Sequence, residues 1–184
     1  MHVVLVIPGR GLISRPGVSV TQQVYYSKTP PTTTRTLSGT TLTITYDCPG
    51  QLVCGVAYTL AVPRSAAVRV TAGAGSVRLT GLAGSVTAKA DVGLINATGL
   101  TSASVSLTTR VGGISATFTA TPTAVRASAN VGAITVHVPG TTSYKIAADA
   151  RVGKTTVSAR QSASSGHAIT ATTDIGAIVV APSP

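Results

Sequence analysis

From Ala66 to Ala181 apolar and polar positions alternate with period two, in short runs punctuated by glycine. A glycine behind a small or β-branched residue returns at Gly75, Gly93, Gly112, Gly132, Gly153 and Gly176, at gaps of 18, 19, 20, 21 and 23 residues. From the second copy onward the preceding residue is Val92, Val111, Val131, Val152 or Ile175. Each glycine is followed by a strand whose inward positions read Val77 and Leu79, Ile95 and Ala97, Ile114 and Ala116, Ile134 and Val136, Thr155 and Val157, Ile178 and Val180, all apolar but Thr155. A second strand precedes the next glycine, with inward positions running from Val86, Ala88, Ala90 and Val92 in one copy to Ile146, Ala148, Ala150 and Val152 in a later one. Two opposed strands joined by tight turns make one flattened coil. Coils stacked at about 4.8 Å give a rod about 25–30 Å long with a thin two-layer core. The expected fold is all-β: a flattened β-solenoid of coils about 20 residues long.

Register adds a testable detail. The outward position before the β-branched residue reads Asp91, Arg110, Asn130, Arg151 and Asp174 on successive copies. Asp91 is therefore expected beside Arg110, and Arg151 beside Asp174, as exposed pairs that pin the stacking while contributing only about 0.2–1 kcal/mol each.

The start of the chain reads differently. In residues 1–17, Pro8, Gly9, Gly11, Pro16 and Gly17 interrupt every apolar run, which predicts an irregular segment or one edge strand. Val18 and Val20 open a short strand, and the Pro-Thr-Ser stretch at 27–40 reads as an exposed loop. Leu42, Ile44 and Tyr46 alternate ahead of a cysteine-flanked turn, and Val56, Tyr58, Leu60 and Val62 alternate behind it, which predicts a hairpin. Residues 18–63 are assigned to an N-terminal β cap, which a solenoid needs to cover its first coil, and 64–184 to the repeats.

Cys48 and Cys54 flank Pro49 and Gly50, so a disulfide closing that hairpin is expected. The alternatives are a reduced pair or half of a metal site, and the latter needs more ligands than His137 and His167 far along the chain. A disulfide implies an oxidising compartment, hence an extracytoplasmic or cell-envelope location, with a cytoplasmic one as the alternative. The run Val3 to Ile7 is too short to span a membrane and lacks a basic flank, so no leader or anchor is legible.

Composition narrows the chemistry. There is no Trp and one Phe among 184 residues, so the core is built from Val, Ile, Leu and Ala. Fourteen Lys and Arg oppose four carboxylates, for a net charge of +10. The excess is spread along the chain, so polyanions are plausible partners without any one cluster announcing a site.

The run from Cys48 to Leu100, followed by Val111-Gly112-Gly113-Ile114-Ser115-Ala116 and Val131-Gly132-Ala133-Ile134-Thr135-Val136, resembles the bacterial adhesin β-strand-repeat family, a domain of otherwise unknown function. The likeness covers about residues 18–181. It implies a β-strand-repeat fold outside the cytoplasm, often behind an anchor or signal, and no catalytic residues.

The residues themselves point the same way on catalysis. Asp47, Asp91, Asp149 and Asp174 are the only carboxylates, and the repeat places Asp91 and Asp174 in one outward column, Asp149 two residues from it, all facing solvent from a convex rod. The stretch Gly153-Lys154-Thr155 lacks the leading glycine of a phosphate loop, since position 148 is alanine. The expectation is a non-enzymatic module with no cofactor, no metal and no small-molecule substrate. One face carries Thr80, Thr98, Thr117, Thr135 and Thr156, the other Lys89, Arg110, Arg126, Lys145 and Arg151. The first functional reading is a structural or adhesin-like interaction module with an unknown protein partner. The second is a module binding a polyanion: an anionic envelope polymer, anionic lipid or nucleic acid. An ice-binding-like threonine array is a minor third. The last coil ends in Pro182-Ser183-Pro184 without a visible cap, which leaves end-to-end self-association open.

Overall fold

The computed structural model describes residues 2–6, 18–48, 50 and 53–183. Every helix or strand among them is a strand. Five precede the repeats: β1 (His2–Val6), β2 (Ser19–Tyr26), β3 (Thr32–Ser38), β4 (Thr41–Asp47) and β5 (Cys54–Ala61). The repeats supply β6 (Ala67–Ala74), β7 (Val77–Thr80), β8 (Val86–Val92), β9 (Ile95–Leu100), β10 (Ser104–Val111), β11 (Ile114–Phe118), β12 (Ala124–Val131), β13 (Ile134–Val138), β14 (Lys145–Val152), β15 (Thr155–Val157), β16 (Ala168–Ile175) and β17 (Ile178–Pro182).

Strands before and after each glycine fall into opposite layers, as the alternation predicts. One layer is a nine-stranded sheet in the order β14-β16-β12-β10-β8-β6-β1-β4-β3, and the other holds β15-β17-β13-β11-β9-β7 plus the separate pair β2-β5. All pairings among the repeat strands are parallel, and in register but for a shift late in β9–β11, so Val86, Val105, Val125 and Ile169 sit on successive rungs of one buried column. The chain is thus a β-solenoid of six coils, each two strands thick. Its core is the thin aliphatic slab expected, with Phe118, the sole phenylalanine, fully buried.

The glycines form a spine. Gly93, Gly112, Gly132, Gly153 and Gly176 have φ between 137° and 153°, where an L side chain is strained. A Cβ added at any of these five would overlap the carbonyl oxygen of the spine glycine on the neighbouring coil. The amide nitrogens of Gly93, Gly112 and Gly132 donate at 2.8–2.9 Å to Val111, Val131 and Ile175 on the next coil, so the turn is both the tightest and one of the most repetitive points of the stack.

The order of the last two coils differs from the chain order. β16 and β17 lie between the β12–β13 coil and the β14–β15 coil, so the C-terminal coil is internal and the penultimate one ends the rod. Packing explains the exchange. An end coil covers its core on one side only, and β14–β15 has the weaker inward set, with Thr155 exposed and Ile146, Ala148, Ala150 and Val157 half-buried. Ile169, Ala171, Ile178 and Val180 are buried completely in the inner position. Residues 158–167 carry the chain back. Part of that connection also covers the rod end, since Tyr144 N donates to Arg160 O and Ser162 N to Tyr144 O. The end expected to be uncapped therefore lies inside the stack, and the true end is partly covered.

The N-terminal region corrects several expectations. β1 is an interior strand, antiparallel to β4 on one side and β6 on the other, and joins cap to solenoid in one sheet; the rest of 1–17 lies outside the described residues. The Thr-rich stretch expected as a loop contains β3, because consecutive β-branched threonines suit an exposed edge strand. The hairpin of the cap is β3–β4, closed at Gly39 and Thr40. The strands flanking the cysteines do not pair with each other: β4 bonds β1 and β3, whereas β5 bonds β2. Cys48 and Cys54 are joined in a disulfide with Cα atoms 5.9 Å apart, and the bond ties the end of β4 to the start of β5, which are not partners in a hairpin. Between β4 and β5 the rings of Tyr46 and Tyr58 lie 6.4 Å apart, and Arg35 of β3 donates to Gln22 of β2 at 2.7 Å.

Candidate functional site

The outer face of the nine-stranded layer is a lattice set by register. One column reads Arg69, Thr87, Ser106, Arg126, Thr170, Ala147, the next Thr71, Lys89, Thr108, Ser128, Thr172, Asp149. The third carries Asp91, Arg110, Asn130, Asp174 and Arg151. Arg110 Nη2 lies 3.2 Å from Asp91 Oδ1, and Arg151 Nη2 lies 3.6 Å from Asp174 Oδ1.

The five cations singled out from sequence do not converge. Arg110 and Arg151 are engaged by carboxylates, and Lys145 stands on the outermost strand at the far end from Arg151. Lys89 and Arg126 are exposed, two strands apart, and make no ion pair among the described residues. Arg69, which the sequence reading passed over, shares the Arg126 column; its position two residues after Ala67 in the first coil was the available signal.

The hydroxyls on the other layer fall in two columns, one of Thr80, Thr98 and Thr117 that runs on to His137 and one of Ser115, Thr135 and Thr156, and both are interrupted. Thr80 and Thr98 are adjacent, with their Oγ1 atoms 3.4 Å apart, but a register shift between Ala116 and Phe118 offsets Thr117. The internal position of β17 then puts Val179 between Thr135 and Thr156. The regular array that the ice-binding reading needs is therefore absent, because adjacent copies in the chain are not always adjacent in space.

The other candidate groups have structural surroundings. His167 Nδ1 donates to Pro122 O at 2.9 Å with its ring edge-on to Tyr144, and His137 Nδ1 to Pro182 O at 3.3 Å. Burial raises the Tyr144 phenol, while its hydroxyl donates to Pro139 O at 3.2 Å. Gly153 sits on the spine and leads into β15. Among the described residues no three His, Cys, Asp or Glu side chains group as metal ligands would.

Where cap and solenoid meet, a cleft of about 490 Å³ opens between β5 and β7, bounded by Tyr58, Leu60, Val62, Val68 and Val70. Its cause is a mismatch of layers: β4 faces β5 and β6 is followed by β7 across the core, but no described strand of the second layer lies opposite β1. The Tyr58 hydroxyl is buried there without a hydrogen-bond partner among the described residues, and burial raises its pKa.

One surface was not legible from alternation. Val92, Val111, Val131, Val152 and Ile175 occupy inward parity, yet they are 43–58% exposed, as is Leu94 at 58%. Each is the last residue before a spine glycine, where the strand has run past the edge of the core. In stack order, Val92, Val111, Val131, Ile175 and Val152 form an unbroken apolar ridge along one narrow side of the rod.

No family model, curated protein or solved structure matches this chain.

Proposed function

We propose that this chain is a non-catalytic, extracytoplasmic interaction module of the adhesin-repeat type, in a bacterial cell envelope. The observation that carries the reading is the outer face of the nine-stranded layer. Six parallel strands in register there present serine, threonine and cationic side chains at fixed intervals of about 4.8 Å, on a backbone hydrogen-bonded from strand to strand. Such a face costs little side-chain entropy on binding and suits a broad, flat partner better than a small substrate. The Cys48–Cys54 disulfide supports the oxidising location.

A second reading, binding of an anionic envelope polymer, lipid headgroup or nucleic acid, is favoured by Arg69, Lys89 and Arg126, which lie on that face outside any ion pair among the described residues. Salt separates the two. Binding to isolated envelope polymers, envelope proteins, anionic vesicles and duplex DNA is measured at about 50 and 200 mM salt. The interaction-module reading predicts capture of a protein or neutral polymer with little change between the two salts. Polyanion binding predicts a steep loss at the higher salt and loss when Arg69, Lys89 and Arg126 are replaced by Gln. Turnover of any of these ligands would contradict both.

A further inference from the structure

The apolar ridge has a charge pattern beside it that is complementary to itself. In stack order the ridge reads Val92, Val111, Val131, Ile175, Val152, and the neighbouring outward column reads Asp91, Arg110, Asn130, Asp174, Arg151. The signs run minus, plus, neutral, minus, plus. Turned end for end and set against itself, the column opposes Asp91 to Arg151, Arg110 to Asp174, and Asn130 to its own copy. We propose that two copies of this chain associate side by side and antiparallel along the ridge, about a two-fold axis through the Val131 rung.

The same axis seats Val92 against Val152, Val111 against Ile175 and Val131 against its mate, covering side chains that the monomer leaves 43–58% exposed. No other register opposes as many opposite charges. A slip of one rung in one direction opposes Asp91 to Asp174, and in the other direction Arg110 to Arg151. A parallel arrangement opposes like charges on four of the five rungs. The Arg110–Asp91 and Arg151–Asp174 pairs within each copy are highly exposed, so their second lone pairs and donors remain open to the partner. With adjacent rungs about 4.8 Å apart, the five rungs meet along about 19 Å. A contact this narrow is small by the standard of stable complexes, so dissociation in roughly the micromolar range is expected.

Sedimentation velocity of the full chain tests this at about 50 mM salt and protein concentrations up to about 1 mM. The expected result is a monomer–dimer equilibrium that Val131→Lys weakens by about tenfold or more, with unchanged circular dichroism and melting because the side chain is exposed. The fourfold reversal Asp91→Arg, Arg110→Asp, Asp174→Arg and Arg151→Asp keeps every pair within and between like copies. It is expected to dimerise with itself and not with the wild type. Asn130→Cys, on the axis, is expected to oxidise to a covalent dimer. A chain that stays monomeric up to about 1 mM, a dimer indifferent to Val131→Lys, or a reversed variant that mixes freely with wild type overturns the proposal.

Discussion

The solenoid and its cap build two-layer β structure from similar residues by different rules. In the coils, neighbouring strands are parallel and repeat the same inward pattern, so each rung buries the same kind of side chain and a single glycine column sets the spacing. In the cap every pair is antiparallel, the partners outside the β3–β4 hairpin are distant in the chain, and the two layers are fastened by a disulfide and by side chains such as Tyr46 and Tyr58. The coils are held by repetition, and the cap by individual contacts. Perturbing a repeated position should therefore propagate along the stack, whereas perturbing the cap should stay local.

The largest expected effect is at the spine. Gly132→Ala places a Cβ against the Gly112 carbonyl at a φ of 153°, and should cost about 3 kcal/mol or more in chemical denaturation. Gly39→Ala, in the cap hairpin at φ 59° with open space around it, should cost only about 1 kcal/mol. Equal costs would remove the distinction between the two regions. Next comes the core within the stack. Ile169→Ala in the internal C-terminal coil should cost about 3 kcal/mol, and Ile146→Ala on the half-buried end coil about half that. The reverse ranking would place β14–β15 inside. The joint change Cys48→Ser with Cys54→Ser should cost about 2 kcal/mol and raise amide exchange in β2 to β5 while leaving β8 to β13 protected. Smallest is pH. Burial raises the Tyr58 and Tyr144 phenols above their ordinary 10.0, so the folded state holds these protons more tightly than the unfolded chain. Their contribution is complete below pH 10 and falls as pH rises beyond it, and Tyr58→Phe should flatten the alkaline limb of a stability–pH curve.

Much of the solenoid was legible because period-two alternation and the recurring glycine act at every copy. Val77, Ile95, Ile114, Ile134 and Ile178 are buried where the pattern put them. The order of the last two coils was not legible, since parallel strands with interchangeable inward sets accept either order, and only the comparison of an end coil with an internal one decides it. β1 was obscured by the proline and glycines that follow it, and β3 by threonines that read equally as loop and as edge strand. The candidate faces were half legible. Column membership followed from parity, but the insertion of β17 separated Thr135 from Thr156, and alternation does not say where the core ends, which hid the exposure of Val92, Val111 and Val131.

The coil order underlies the end of the rod, the broken hydroxyl face and the self-complementary charge column, and paired cysteines test it directly. Ser128 and Thr172 share a rung boundary, with Thr172 Oγ1 donating to Ser128 Oγ at 3.2 Å, while Asp149 lies one strand further out in the same column. Adjacent strands hold Cα atoms within disulfide reach, and strands twice removed, at about 9.6 Å, do not. Under mild oxidation Ser128→Cys with Thr172→Cys should close an internal disulfide, and Ser128→Cys with Asp149→Cys should not. Closure of the second pair with failure of the first would contradict the order of the stack.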